Sequence, residues 1–126
     1  MSKHILAIDD SLTIRELLSQ TIKSAGFEIT TACDGVEGLE TFAGDRYDAV
    51  ITDINMPNLD GFGVIEGIRG GSVNRRVPIL VLTTESGAEL KSRARDAGAT
   101  GWLVKPFDDE GLLGVLRRVT GAGSVT

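Results

Sequence analysis

Polar side chains follow four separate apolar segments of the chain, and together they could carry out phosphoryl chemistry. Asp9 and Asp10 follow the earliest of these segments, and Asp53, Thr83 and Lys105 each follow a later one. Grouped carboxylates repel one another unless a cation lies between them. A few carboxylates with positions left for water suit Mg²⁺ better than Ca²⁺, and a lysine and a hydroxyl are expected around a phosphoryl group. Because a carboxylate can itself be a nucleophile, an aspartyl phosphate is the chemistry that this set predicts.

Each of these residues also has an ordinary structural explanation. An acidic pair after a strand is commonly a solvated loop or a helix cap, and Asp53 could simply begin the turn-rich segment that follows it. Thr83 could cap the next helix through its hydroxyl, and Lys105 could be a surface lysine. Convergence on one site would favour the chemical interpretation. A zinc site is not expected, because His4 and Cys33 are the only histidine and cysteine.

Apolar periodicity predicts the elements that must position these residues. Short, nearly continuous apolar or β-rich runs are typical of strands, and they span residues 4–9, 27–32, 47–53, 77–82 and 101–104. Apolar residues recur at helical spacing between these runs and after the last of them, and residues 55–61 are dense in turn formers. Either Ser11 or Thr13 could cap the first helix, and Asp108 would cap the last.

Five strand–helix units in strict alternation predict a parallel sheet with helices on both faces. Ligands of such α/β sheets bind beyond the carboxyl ends of the strands. The polar residues that follow the strands would therefore converge on one edge of the sheet. Asp53 is the best candidate for the nucleophile, because its strand is the central one.

The composition predicts one soluble, cytoplasmic domain spanning residues 1–126, with a core at about 4–120 and a frayed tail at 121–126. The 126 residues are 41% apolar, carry a formal net charge of -5 and have a pI near 4.8. A second cored domain would not fit in this length, and the apolar content excludes disorder. The acidity argues against sequence-independent nucleic acid binding, and no membrane span or signal peptide is expected. A single cysteine fits a reducing compartment.

Four motifs give the chain a specific resemblance. They are Ile8-Asp9-Asp10-Ser11, the segment 53–61 (DINMPNLDG), Leu82-Thr83, and Val104-Lys105-Pro106-Phe107. The intervals from Asp53 to Thr83 and from Thr83 to Lys105, 30 and 22 residues, also agree. The chain resembles the receiver domains of two-component response regulators from residue 5 to about 119, and most closely the single-domain regulators of chemotaxis. The resemblance implies a flavodoxin-like, three-layer α/β sandwich with five helices and a five-stranded parallel sheet of order 2-1-3-4-5.

The resemblance implies a role for each residue of the site. Asp53 is expected to be the phosphoacceptor, Lys105 to pair with one phosphoryl oxygen and Thr83 to bind another after a loop movement. The Lys105-Pro106 peptide bond is expected to be cis. The residues expected to hold Mg²⁺ are Asp10, Asp53 and the backbone carbonyl of Asn55, together with Asp9, which is expected to act through a water molecule. Asn55 and Glu85 are expected to tune the lifetime of the phosphoryl group.

The resemblance also implies a switch and an output face. Trp102 stands where an aromatic residue turns inward as Thr83 moves, although tyrosine, phenylalanine or histidine is more usual there. A packing tryptophan is the alternative, and Thr84 could restrict access to Asp53. The output face would be formed by the fourth helix, fifth strand and fifth helix, and its candidate residues are Glu89, Lys91, Trp102, Val104 and Leu112.

The function implied is a monomeric response regulator that takes a phosphoryl group from a histidine kinase of the chemotaxis type and signals in trans to a flagellar motor switch protein or another effector. A phosphatase is a further expected partner, whereas nucleic acid and membranes are not. No enzyme activity is expected beyond its own phosphorylation and dephosphorylation. The alternatives are a phosphorelay intermediate or phosphate sink, and a small Mg²⁺-dependent phosphatase with an aspartyl nucleophile. A flavin- or nucleotide-binding protein lacks support, because no glycine-rich loop follows the first strand.

Overall fold

A computed structural model of the chain describes residues 2–121. Strands and helices alternate strictly. They are β1 (His4–Ile8), α1 (Leu12–Ser24), β2 (Glu28–Ala32), α2 (Gly35–Ala43), β3 (Ala49–Thr52), α3 (Gly61–Arg69), β4 (Ile79–Thr83), α4 (Ala88–Ala97), β5 (Gly101–Val104) and α5 (Asp109–Thr120). The five predicted strands are therefore confirmed, with boundaries that differ by at most two residues.

The five strands form one parallel sheet of order β2-β1-β3-β4-β5, as the resemblance implied. Thr52 at the end of β3 pairs with Ile8 of β1 and with Val81 of β4. The residues that follow β1 and β3 therefore leave the sheet at the same level. This register is what brings Asp9 beside Asp53.

Two apolar cores lie on opposite faces of the sheet, because successive side chains of a strand alternate between its faces. Leu6, Ile8 and Val50 belong to the core that contains buried residues of α2, α3 and α4. Ile5 and Ile51 belong to the core that contains buried residues of α1 and α5. The three layers of the expected sandwich are present.

Side-chain caps begin four of the five helices. Ser11, and not Thr13, caps α1, because the Ser11 hydroxyl accepts a hydrogen bond from the Ile14 N–H, whereas Thr13 lies inside the helix. Asp108 caps α5 as predicted, and Asp34 and Asp60 do the same for α2 and α3. The N-cap of α4 is Gly87, so the hydroxyl of Thr83 does not cap that helix.

The fifth helix requires a correction to the expected output face. The resemblance assigns Leu112 to that face, but Leu112 is only 1% exposed and packs in the core with Leu116. Both leucines lie on the apolar stripe of α5, which faces the sheet. Gly121 ends this helix in the left-handed conformation with φ 77°. The remainder of the predicted frayed tail, residues 122–126, lies outside the described residues.

Candidate functional site

The carboxylate of Asp53 lies just beyond the end of the central strand β3, and the residue is only 7% exposed. Its Oδ1 accepts hydrogen bonds from the backbone N–H groups of Ile54, at 2.6 Å, and Asn55, at 3.4 Å. These bonds are local, because the chain turns sharply after the strand and directs both N–H groups back at the carboxylate. One oxygen of the predicted nucleophile is therefore held by the backbone.

The helix that follows packs directly behind Asp53. The Gly61 N–H donates to the Ile54 carbonyl at 2.9 Å, and a Cβ at position 61 would lie 2.8 Å from the Ile54 Cα and still closer to the Asp53 carbonyl. Only glycine fits this approach without displacing backbone. The Asp60 carboxylate then caps α3 by accepting from the Gly63 N–H at 2.9 Å. The start of α3 thus fixes the backbone of Asp53, the predicted acceptor.

Lys105 crosses the site from the end of β5. Its ammonium group lies 2.7 Å from Asp9 Oδ2 and 2.8 Å from Asp53 Oδ2, and its side chain is 11% exposed. Burial acts to lower the pKa of Lys105, but hydrogen bonds to Asp53 and Asp9, together with their charges, outweigh it and raise that pKa above its ordinary value. The lysine is therefore a fixed cation between two carboxylates, and the surface explanation of Lys105 is wrong. The Lys105-Pro106 bond is cis, as expected.

Asp9, Asp10 and Asp53 form a group of the kind that holds a metal ion. Each offers one carboxylate oxygen, and the three oxygens lie within 4.8 Å of one another. Asp9 is 2% exposed, whereas Asp10 is exposed. Three oxygen donors with an open side suit a hard cation that keeps several of its waters, as Mg²⁺ does. The donor set therefore fits the predicted metal.

Thr83 ends β4 and is fully buried. Its hydroxyl accepts a hydrogen bond from the Glu85 N–H at 3.4 Å, which ties it to the loop between β4 and α4. Thr84, the next residue, is exposed. The structure thus places the predicted switch residue at the base of the loop that would have to move.

That loop is held from two further sides through Glu85. The side-chain amide of Asn55 donates to the Glu85 carboxylate at 3.2 Å, and the Trp102 indole N–H donates to the Glu85 carbonyl at 3.0 Å. Trp102 is half-buried. The two predicted lifetime residues are therefore in contact, and Trp102 already contacts the β4–α4 loop. The sequence carries no signal for these bonds, because they depend on how two loops and a strand meet.

The remaining candidates for the output face lie at the surface. Glu89 and Lys91 are exposed on α4, and Val104 of β5 is 41% exposed. Lys91 and Trp102 line a surface groove of about 400 Å³ between α4 and β5. Apart from the buried Leu112 and the half-buried Trp102, the candidates for this face are thus open to solvent.

One residue close to the site was missed by sequence reasoning. Arg15, in the first turn of α1, donates from Nη1 to the backbone carbonyl of Asp9 at 2.7 Å. No spacing rule links a helix arginine to a carbonyl six residues earlier.

Within residues 2–121, no helix is long and apolar enough to cross a membrane.

Comparison with known proteins agrees with this geometry. The family model described as response regulator receiver domain matches residues 5–117. The chemotaxis response regulator CheY4 of Vibrio cholerae is 45% identical, with 94% of this chain and 99% of that one covered and a TM-score of 0.90. The receiver domain of the sensor histidine kinase PA1611 from Pseudomonas aeruginosa, described with a magnesium ion in its active site cleft, is 30% identical over 96% of this chain and 99% of that one, with a TM-score of 0.88.

Curated relatives include the response regulator MprA of Mycobacterium tuberculosis. It is 41% identical over 117 residues, which make up 93% of this chain and 50% of MprA. The chain therefore spans about half the length of the curated relatives it matches.

Proposed function

We propose, for a chain that belongs to the response regulator receiver domain family, that Asp53 accepts a phosphoryl group from the phosphohistidine of a histidine kinase. The observation that carries this proposal is the arrangement of Asp53, Asp9 and Lys105, in which one buried ammonium group joins two buried carboxylates. A purely structural ion pair would not need a third, exposed carboxylate beside it. Asp10 supplies that carboxylate.

The reaction transfers the phosphoryl group from nitrogen to oxygen. A carboxylate oxygen of Asp53 attacks phosphorus, the bond from phosphorus to the histidine nitrogen breaks, and an acyl phosphate forms. The backbone N–H groups of Ile54 and Asn55 orient the carboxylate, and Lys105 is available to neutralise a phosphoryl oxygen. Positioning and electrostatics supply most of the rate in such a transfer.

The same edge of the sheet would hold Mg²⁺. Asp9, Asp10 and Asp53 would hold the ion through carboxylates, with the backbone carbonyl of Asn55 as a further ligand. Bound there, Mg²⁺ would neutralise negative charge on the phosphoryl group. Support comes from the donor set itself and from the similar PA1611 receiver domain, which is described with magnesium in its cleft.

Phosphorylation would be read through the β4–α4 loop. A phosphoryl group on Asp53 offers Thr83 a new acceptor, and a state in which Thr83 binds it is favoured by the difference in hydrogen bonding. Moving that loop would disturb the bonds of Glu85 to Asn55 and Trp102. The change would reach the exposed face formed by Glu89, Lys91, Trp102 and Val104.

The output is proposed to act in trans in chemotaxis, at a flagellar motor switch protein. The similarity to CheY4 supports this, because the match covers 99% of that chain. The domain would act as a cytoplasmic monomer with a chemotaxis histidine kinase as donor and a phosphatase as a further partner. A phosphorelay role is the second candidate, because a receiver domain of a sensor histidine kinase matches with similar coverage.

The first test is the intact mass of the protein after incubation with acetyl phosphate, with and without Mg²⁺. We expect a phosphoryl adduct that requires Mg²⁺ and is absent in Asp53→Asn. No adduct on the wild-type chain, or an equal adduct on Asp53→Asn, would overturn the proposal. The phosphorylated form should then bind a flagellar switch protein, whereas transfer to a histidine phosphotransfer domain without such binding would favour the phosphorelay.

The lifetime of the adduct tests the contact between Asn55 and Glu85. Because their side chains are hydrogen-bonded to each other, we expect Asn55→Ala and Glu85→Ala each to change the rate of dephosphorylation. The double variant should then differ from the sum of the two effects. Unchanged decay in both single variants would remove these residues from the proposed role.

A further inference from the structure

Arg15 contacts the site through the backbone, and the peptide that it contacts joins two of the proposed metal ligands. Its guanidinium group donates from Nη1 to the Asp9 carbonyl oxygen at 2.7 Å. That carbonyl belongs to the peptide bond between Asp9 and Asp10. Rotation of this peptide plane would change ψ of Asp9 and φ of Asp10 together, and so would redirect the Asp10 carboxylate.

Asp9 is held at four atoms. Its N–H donates to the Ala32 carbonyl at 3.1 Å, its Oδ1 accepts from the Ser11 N–H at 2.9 Å, and its Oδ2 accepts from Lys105 at 2.7 Å. The bond from Arg15 to its carbonyl is the fourth. Three of these bonds fix the residue itself, whereas the fourth fixes the peptide that leads out of it.

Asp10 is placed differently from Asp9. It is exposed, while Asp9 is 2% exposed, yet one of its carboxylate oxygens still lies within 4.8 Å of those of Asp9 and Asp53. An exposed side chain is free to sample several rotamers, so its backbone must already point it toward the site. The orientation of the Asp9–Asp10 peptide is therefore the feature of the site that most needs to be fixed by a hydrogen bond.

We propose that Arg15 is a positioning residue that fixes the Asp9–Asp10 peptide and thereby aims the Asp10 carboxylate at the metal. This inference rests on the proposed Mg²⁺-dependent function. Partners that orient metal ligands typically change metal affinity by 10–100-fold when they are removed. Arg15 suits the task because its long side chain reaches back from α1 and its guanidinium donates in a fixed direction.

A positioning role and a purely electrostatic role of Arg15 predict changes of opposite sign in Mg²⁺ affinity when the residue is removed. Arg15 carries a positive charge near a cation site, so its charge alone opposes Mg²⁺ binding, and removing it should tighten binding or leave it unchanged. If Arg15 aims Asp10, its removal should weaken binding. The sign of the change therefore separates the two roles.

The experiment is calorimetric titration of the full chain with Mg²⁺. We expect Arg15→Met to bind Mg²⁺ roughly tenfold more weakly than wild type, with little change in Tm. Arg15→Lys keeps the charge, but its side chain is one atom shorter than the path to Nη1 of arginine, so it should bind Mg²⁺ more weakly than wild type by a smaller factor or, where the ammonium reaches the Asp9 carbonyl, as tightly as wild type. The matched control is Arg76→Met, which removes the same charge from an exposed position before β4 and should leave the affinity within about twofold of wild type.

The outcomes are distinguishable. Equal or tighter Mg²⁺ binding by Arg15→Met, with wild-type binding intact and lost in Asp10→Asn, would overturn the role of Arg15 and leave the proposed function standing. Absence of Mg²⁺ binding in the wild type, or full binding by Asp10→Asn, would overturn the metal site and this inference with it. If Arg15→Met fails to fold, Arg15→Gln replaces it, because that variant also removes the charge and the long side chain that reaches the Asp9 carbonyl, and equal or tighter Mg²⁺ binding there would contradict positioning.

Discussion

Helices α3 and α4 contribute to the same core of the sheet, but they are held very differently. The Asp60 side chain caps α3, and five of its nine residues are buried: Gly61, Phe62, Val64, Ile65 and Ile68. The N-cap of α4 is Gly87, which makes no side-chain hydrogen bond, and Ala94 is the one residue of that helix that is buried. Asp53, the proposed acceptor, is backed by the firmly held helix α3, and the β4–α4 loop leads into the loosely held helix α4.

This difference suits a switch. The site must keep its geometry during transfer, because small displacements of reacting groups are costly. The element that reports the transfer must instead have two arrangements of similar free energy. Arginines still link the two helices: Arg93 of α4 lies over the Phe62 ring at 3.8 Å, and Arg69 Nε of α3 donates to the carbonyl of Gly98, the residue that follows α4, at 3.0 Å.

The largest effect is expected at the site that α3 holds firmly. Lys105→Met would remove the cation between Asp9 and Asp53, so phosphorylation by acetyl phosphate should slow by about 100-fold. The unfolding free energy should also fall, because two buried carboxylates would face each other without a partner. Mass spectrometry measures the phosphorylation rate, and urea unfolding measures the stability. Added Mg²⁺ should recover part of the lost stability. A wild-type phosphorylation rate would contradict the role of Lys105.

The pH dependence of the same pair of proteins sharpens this test. The folded chain raises the pKa of Lys105 above its ordinary 10.5, through hydrogen bonds to Asp53 and Asp9 that outweigh the opposing effect of burial. The contribution of Lys105 to stability is therefore fully present below about pH 10.5 and is lost as pH rises through the raised pKa. The difference in unfolding free energy between wild type and Lys105→Met should stay constant from pH 7 to about pH 10 and narrow above that. If the difference in unfolding free energy already narrowed between about pH 7 and 9, the raised pKa of Lys105 would be contradicted.

A matched pair of glycine substitutions tests how tightly α3 packs behind Asp53. Gly61→Ala would push a Cβ into the backbone of Asp53 and Ile54, and we expect a loss of about 1–3 kcal/mol together with slower phosphorylation. Gly114→Ala is the control, because a Cβ there meets nothing within 4 Å. In a helix interior it should stabilise the chain by up to about 1 kcal/mol. Equal effects in chemical unfolding would show that the start of α3 is not tightly packed.

Changes at the two N-caps test the comparison directly. Asp60→Ala removes the cap of α3 and should cost about 1 kcal/mol. Gly87→Ser adds a hydroxyl where the backbone already has cap geometry, with φ -66° and ψ 139°, and should stabilise α4 by a few tenths of a kcal/mol. Urea unfolding measures both changes. If Gly87→Ser leaves the stability unchanged although a crystal structure of the variant shows the new cap formed, then the N-terminus of α4 does not limit the stability of that helix.

A further effect of modest size concerns the hydrogen bond by which Trp102 holds the loop between β4 and α4. Trp102→Phe keeps an aromatic ring but removes the N–H that donates to the Glu85 carbonyl, so we expect a loss of about 0.5–1.5 kcal/mol. Amide exchange in residues 83–87 should become faster, while exchange in α3 stays the same. Unchanged exchange in that loop would show that the indole bond does not restrain it.

The sequence predicts the positions of the strands well, together with the polar residues that follow them. The reason is that buried parallel strands are short apolar runs with distinct limits. It also predicts Asp9, Asp53 and Lys105 as neighbours, since parallel strands end at one edge. It could not choose between Ser11 and Thr13 as a cap, because both have the required hydroxyl. The bonds of Glu85 to Asn55 and Trp102 were beyond prediction, since loop contacts depend on tertiary geometry.

Leu112 shows how a resemblance can mislead where local physics is informative. The resemblance places the fifth helix on an output face, but not every residue of a helix faces outward. The helical spacing of Leu112 and Leu116 predicts a shared buried stripe, and the structure confirms it. Exposure therefore has to be read from periodicity residue by residue.

The most direct test of a fixed site coupled to a movable helix is amide hydrogen exchange before and after phosphorylation. Samples of wild type and Asp53→Asn would be treated with Mg²⁺ and acetyl phosphate, and intact mass would show which sample carries the adduct. We expect α4 to exchange faster than α3 at rest, and exchange in residues 83–97 to change in the phosphorylated wild type alone, with α3 unchanged. Equal protection of the two helices, or an adduct without any change in residues 83–97, would contradict the account.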